Sequence, residues 1–169
     1  LEQAPEHTEA LERLLTLSEQ NGDWSGFVEV GTTLLRRAQG AERAALLRRL
    51  GLAQLHQLHN EPAALRLLDE AVFGDTTDVE AAAALERLRG ARGETEEVVR
   101  VVRRLAGVSS DAEAVGLLTR AARMTLELIQ DRARAAELYL ELLGRNPENV
   151  EALRFTSDHA FRAGDNARA

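Results

Sequence analysis

Two nearly matching phrases, APEHTEAL (Ala4 to Leu11) and NPENVEAL (Asn146 to Leu153), stand 142 residues apart when measured at Pro5 and Pro147. Half that distance, 71 residues, is the period that most constrains the fold. Displaced by 71 without gaps, Glu9 falls on Glu80 and Glu151, and Glu42 falls on Glu113. Leu46-Leu47 fall on Leu117-Leu118, and Arg49 falls on Arg120. Inside each period the turn residues Asp23, Asn60, Glu94, Asp131 and Asp165 are spaced 37, 34, 37 and 34. A repeat of that length is one supersecondary unit that cannot bury its own apolar face and must stack on its neighbours.

The unit is a helical hairpin. Apolar residues make up 44% of the chain, enough to bury a core, yet aromatics are only 4%, so Leu and Ala carry the packing. Leu, Ala, Arg and Glu are good helix formers, and β-branched runs are nearly confined to VVRVV. First helices are expected at 7–20, 42–58, 78–90, 111–129 and 149–163, and second helices at 24–38, 62–73, 95–106 and 132–144. In the last of these Ala135, Leu138, Tyr139, Leu142 and Leu143 recur at helical spacing on one stripe. TDVE (Thr77 to Glu80) and SDAE (Ser110 to Glu113) read as capping boxes. NGDW, ARGE and RAGD supply turns, with Gly22, Gly93 and Gly164 in them. Pro5 and Pro147 stand just before a helix, where proline ends one element and starts another. The units fall at about 5–40, 41–75, 76–109 and 110–147, with a partial fifth at 148–169, all in one repeat domain. The chain starts at Leu1 without methionine and stops at GDNARA, where the period expects a new helix. It therefore reads as a piece of a longer, bacterial-type protein.

At this point the residues resemble the tetratricopeptide repeat family. The fourth unit carries Asp131, Ala135, Tyr139 and Pro147, which matches the family's small–x3–aromatic–proline half. Ala64 and Leu68 hold the same places in the second unit, and Phe27 and Gly31 in the first. Gly22-Asp23-Trp24 is similar to the family's inter-helix turn. The first helices depart from the pattern. Where the family has Trp, Leu-Gly and Tyr, this chain has Leu11, Leu14-Leu15 and Ser18 in the first unit. In the fourth it has Thr119, Ala122-Arg123 and Leu126. The resemblance implies an all-α, right-handed α-α superhelix of about four and a half hairpins. First helices would line a concave groove, and a partner protein would bind there without catalysis.

In that register Arg49, Arg120 and Arg154 take equivalent groove positions, and the third unit offers Ala83 there with Arg87 one turn on. Two readings stand. The arginines form a ladder that holds carboxylates of an acidic partner segment by charge-assisted bonds, or they pair with nearby Glu on a solvated face. Every one of the 21 basic residues is Arg, so each cation is a planar fork rather than a point charge. The family's carboxylate-clamp members use Lys and Asn, and this chain has no Lys. Met124, Leu128, Phe155 and Phe161 are candidates for apolar contacts at the groove's far end. Bare apolar residues on helix 149–163 would make a dimer through the C-terminal end.

The other function classes find little support. A net charge of −7 disfavours nucleic acid, whose binding needs clustered positive charge. No apolar run is long enough to span a bilayer, so membrane insertion is not expected. Without cysteine there is no thiolate nucleophile and no Cys-bound metal, and the redox compartment stays open. His56 and His59, with Glu61 nearby, have a ligand-like spacing but run into a turn. GARG (Gly90 to Gly93) lacks the longer loop and lysine of a phosphate site. DTTDVE lacks the rest of a calcium loop. No cofactor and no enzyme chemistry are expected. The two functions left are a scaffold that binds a partner protein segment, and a structural spacer or self-assembly module.

Overall fold

The computed structural model describes residues 5–166, with side chains from His7 to Gly164. Among them nine α-helices follow one another and no strand occurs. The first helices are α1 (Pro5–Gln20), α3 (Gly40–His56), α5 (Val79–Ala91), α7 (Asp111–Met124) and α9 (Val150–Asn166). The second helices are α2 (Trp24–Leu35), α4 (Glu61–Phe73), α6 (Thr95–Val108) and α8 (Arg132–Arg145). The expected all-α array of helical hairpins, four complete and a last helix without its partner, is what these residues form. By packing the chain divides into two compact units, Leu1–Leu85 and Glu86–Ala169.

In the first unit α2 packs on both α1 and α3, and α3 packs on α4. Its core is small and mostly aliphatic: Leu47, Leu50, Ala64, Leu68 and Val72 are buried, as is the ring of Phe27. Close approach replaces bulk. Gly31 of α2 lies directly against the Leu50 side chain, so a β-carbon there would collide with its δ-methyl group. In the second unit α6 packs on α7, α7 on α8, and α8 on α9. Val98, Val99 and Val102 of α6, Leu118 and Ala121 of α7, and Leu138, Tyr139 and Leu142 of α8 form one cluster. Ala152 of α9 completes it.

The hairpin turns share one chemistry. In each, a residue with left-handed backbone precedes the cap of the second helix: Gly22, His59, Gly93 and Gln130, with φ of 70°, 51°, 71° and 63°. The next residue, Asp23, Asn60, Glu94 or Asp131, is the cap. Asp23, Asn60 and Asp131 accept a bond from the third amide of the helix with their side chains, which satisfies an otherwise orphaned donor. Glu94 is held by Arg89 and Arg92 instead. The cap's own N–H closes the turn on Ser18, Gln54, Arg89 and Thr125 carbonyls in turn.

These closures come in two lengths. Asp23 and Glu94 reach back five residues, whereas Asn60 and Asp131 reach back six. The longer closure at Asp131 goes with a π-helical turn at Thr125–Ile129. From cap to cap, α3 and α7 take 21 residues (Gln39 to Asn60, Ser110 to Asp131), while α5 takes 16 (Asp78 to Glu94). The alternating 37 and 34 spacing thus follows mainly from the length of the first helix, to which the longer closure adds one residue.

Two local expectations are corrected. SDAE forms its capping box at Ser110 and Glu113. In TDVE, however, the cap is Asp78, one residue past Thr77, which accepts from Ala81 N–H at 2.8 Å. Aspartate is at least as good an N-cap as threonine, and helix α5 starts where Asp78 can serve. The RAGD turn does not form, because α9 runs through Asn166. The GD of that motif lies within the helix rather than in a turn after it. Residues 167–169 of the expected fifth unit lie outside the described residues.

Candidate functional site

Each successive pair of first helices is joined by an arginine–carboxylate contact. In the first unit Arg49 of α3 meets Glu19 of α1 at 2.6 Å. Arg48 of α3 meets Asp78 at 3.1 Å and also Glu80. In the second unit Arg120 of α7 meets Glu86 of α5 at 2.7 Å. Arg123 of α7 grips Glu151 of α9 with two bonds of 2.8 and 2.5 Å. Exposed pairs of this kind contribute at most about 1 kcal/mol each, so they set register more than stability.

The predicted arginines therefore divide. Arg49 and Arg120 already hold carboxylates of the preceding first helix, and Arg49 also lies 5.4 Å above the Phe27 ring. Arg87 is exposed on α5. Arg154 is exposed on α9 and has no ion-pair partner among the described residues. Met124 is half-buried and leans on the core cluster. Leu128 and Phe161 are exposed, and Phe155 is half-buried beside Arg154.

Arg154 and Phe155 belong to a cleft of about 870 Å³ between α7 and α9, floored by α8. Leu126 and Val150 form apolar walls, and Arg123, Arg132 and Arg154 supply cations. The floor is a stack. Phe155 lies 4.8 Å from the Tyr139 ring and 4.6 Å from the Arg132 guanidinium. Arg132 in turn bonds Asp158. Tyr139 donates its hydroxyl to Glu151 at 2.7 Å. The Arg123 fork, joined by that hydroxyl, holds the Glu151 carboxyl below its usual range. Burial, reinforced by Glu151, pushes the Tyr139 phenol up to about 12. Arg123 is raised by the same contact. Two of the three cations are thus neutralised from within, and Arg154 is left to face solvent.

The cleft can take an apolar side chain on its aromatic floor with a carboxylate beside it. The Arg123–Glu151–Tyr139 knot and Arg132 were not among the predicted site residues. The signal was present in part, since Glu151 stood out as a repeated position with Glu9 and Glu80. A second depression, about 210 Å³, lies in the first unit among Glu19, Trp24, Phe27, Arg49 and His56. His59 serves the α3–α4 turn instead. Among the described residues no His, Cys, Asp and Glu cluster is arranged to hold a metal ion. No described helix is long and apolar enough to cross a membrane.

No family model and no curated protein matches the chain. Among solved structures it is similar to one titled "Crystal structure of MamA protein", with a TM-score of 0.50 at 17% identity over 90% of this chain and 80% of that one. Another, "Crystal structure of MamA", has a TM-score of 0.46 at 14% identity, covering 92% of this chain and 98% of that chain. At such identity the first likeness is one of fold alone: consecutive packed helical hairpins.

Proposed function

We propose that this chain is a non-catalytic scaffold, a degenerate repeat of the tetratricopeptide kind, which holds a segment of a partner protein on its first-helix face. The cleft between α7 and α9 is the seat. One observation carries this reading: an aromatic floor at Phe155 and Tyr139 with an uncompensated cation, Arg154, at its edge. An acidic segment fits, with a carboxylate on Arg154 and an apolar side chain on Phe155. A charge-assisted bond of this kind contributes about 1.5–3 kcal/mol when well formed.

A photo-crosslinking residue at Val150 tests the seat in cells, with one at Arg66 on α4 as control. A discrete adduct from position 150 alone is the expected result. Arg154→Glu should then weaken the recovered partner's binding about tenfold or more, as loss of an anchoring residue does. Equal crosslinking from both positions, or full affinity in Arg154→Glu, removes the cleft from consideration. The alternative, a spacer or self-assembly module, draws on the apolar faces that α1 and α9 leave exposed.

A further inference from the structure

The three arginines of the α7–α9 cleft hold their charge in different ways. Arg123 is locked: its fork gives two bonds to Glu151, which takes a third from the Tyr139 hydroxyl. Arg154 has no ion-pair partner among the described residues. Arg132 stands between these cases. It bonds Asp158 through one nitrogen, Nη2. Its Nε–H, on the same edge of the fork, is shut off from solvent and has no acceptor. A carboxylate that meets this edge squarely takes both donors at once, the arrangement that gives an arginine fork its strength and selectivity. Asp158 uses only half of it.

Asp158 also has a second partner at hand. Arg162, one turn further along α9, places its Nε 3.2 and 3.1 Å from the two carboxylate oxygens of Asp158. Released from Arg132, Asp158 keeps this i, i+4 contact on its own helix and does not become a bare charge. Arg132 is likewise held without Asp158, because its guanidinium lies 4.6 Å from the centre of the Phe155 ring, within reach of a cation–π contact. The side chains of the pair are 37% and 45% exposed, so an anion can reach them from solvent. The remaining carboxylate of the cleft, Glu127 in the π-helical turn, lines the cleft without a bond to Arg132.

We infer that Asp158 is an internal stand-in for the partner: it occupies Arg132 in the free protein, and a partner carboxylate displaces it, taking the Nε–Nη2 edge side-on while Asp158 stays with Arg162. This rests on the cleft being the partner's seat, and it gives that seat a second anchor beside Arg154. Arg132 and Asp158 are both paired before and after the exchange. The exchange lowers affinity, because only the fraction of molecules with Arg132 released is competent to bind. It also sharpens selection, because a segment that brings an apolar group but no carboxylate cannot make it.

N-acetyl-leucine carries one apolar side chain and one carboxylate, and N-acetyl-leucinamide is its uncharged counterpart. Nuclear magnetic resonance titration of the isotope-labelled chain with each tests the exchange. The Arg132 Nε–H signal, assigned by its loss in Arg132→Gln, should move downfield with N-acetyl-leucine as the proton gains an acceptor. Asp158→Asn replaces the internal anion with a neutral side chain of the same shape. It should bind N-acetyl-leucine about tenfold more tightly than wild type, with no gain for N-acetyl-leucinamide. Adding Arg132→Gln should erase the gain. Glu127→Gln removes a carboxylate that has no hold on Arg132 and should gain less than about twofold. Helical circular dichroism is the folding control. An Asp158→Asn that binds no more tightly, a gain equalled by Glu127→Gln, or a gain that survives Arg132→Gln overturns the exchange. If Arg154→Gln still weakens N-acetyl-leucine binding in those cases, the cleft stands as the seat and only the exchange falls. A probe that moves no cleft resonance, in wild type or in Asp158→Asn, removes both.

Discussion

Glu9, Glu80 and Glu151 share one repeat position and meet three different partners. Glu151 reaches the fork of Arg123 and the hydroxyl of Tyr139. Glu80 reaches Arg48 of the preceding first helix, and Glu9 turns to Arg13 on its own helix. The Arg123 contact lowers the Glu151 pKa. Its contribution is therefore present above the ordinary carboxylate range and is lost as pH falls through the lowered value, and melting curves below about pH 4 should show it. Glu151→Gln should flatten that acid limb. Tyr139 works with the opposite sign. Its pKa is raised from 10 to about 12, so the unfolded chain gives up its proton first. Stability should then fall between pH 10 and about pH 12, and Tyr139→Phe should abolish that fall while costing about 1 kcal/mol at neutral pH. Denaturant titrations at a series of pH values check both. None of this was legible in the residues alone. The repeat marked Glu151, but which arginine faces it depends on the angle between two helices, which no spacing encodes.

At the scale of the helix and its turn, the sequence was far more informative. Turn chemistry is local, and Gly22-Asp23 and Gly93-Glu94 name both the left-handed residue and the cap. Gly93→Ala should cost about 1 kcal/mol, because a β-carbon is strained at φ of 71° whatever the space around it. Gly31→Ala should cost about 1–3 kcal/mol for a different reason, overpacking against Leu50. Thermal melts of the two variants separate the cases: adding Leu50→Val to relieve the crowding should rescue part of the Gly31 loss and none of the Gly93 loss. His59 and Gln130 were harder to see, since a left-handed non-glycine residue has no strong signature. The spacing of 37 and 34 announced two kinds of hairpin. The six-residue closure, which supplies one residue of that difference, was hidden, because an added backbone residue looks like any other helical residue. RAGD is not a turn, because α9 runs through it to Asn166.

At the scale of the whole molecule, what the chain does depends on faces and no longer on motifs. Leu, Ala and Val fill the core by close approach, and arginine–carboxylate contacts tie one first helix to the next within each unit. What remains outside is a cleft in the second unit, and it carries the functional reading. The two closure lengths have a further consequence, for how such a chain can be shortened. Excising residues 60–130 joins His59 to Asp131, so a long first helix still leads into a second helix that normally follows one. Excising 60–93 joins His59 to Glu94 and grafts a long helix onto a partner shaped for a short one. The first deletion should melt cooperatively and the second should not, although it removes fewer residues. The heritable module is then the pair of hairpins, and arrays of this type should gain or lose length two hairpins at a time.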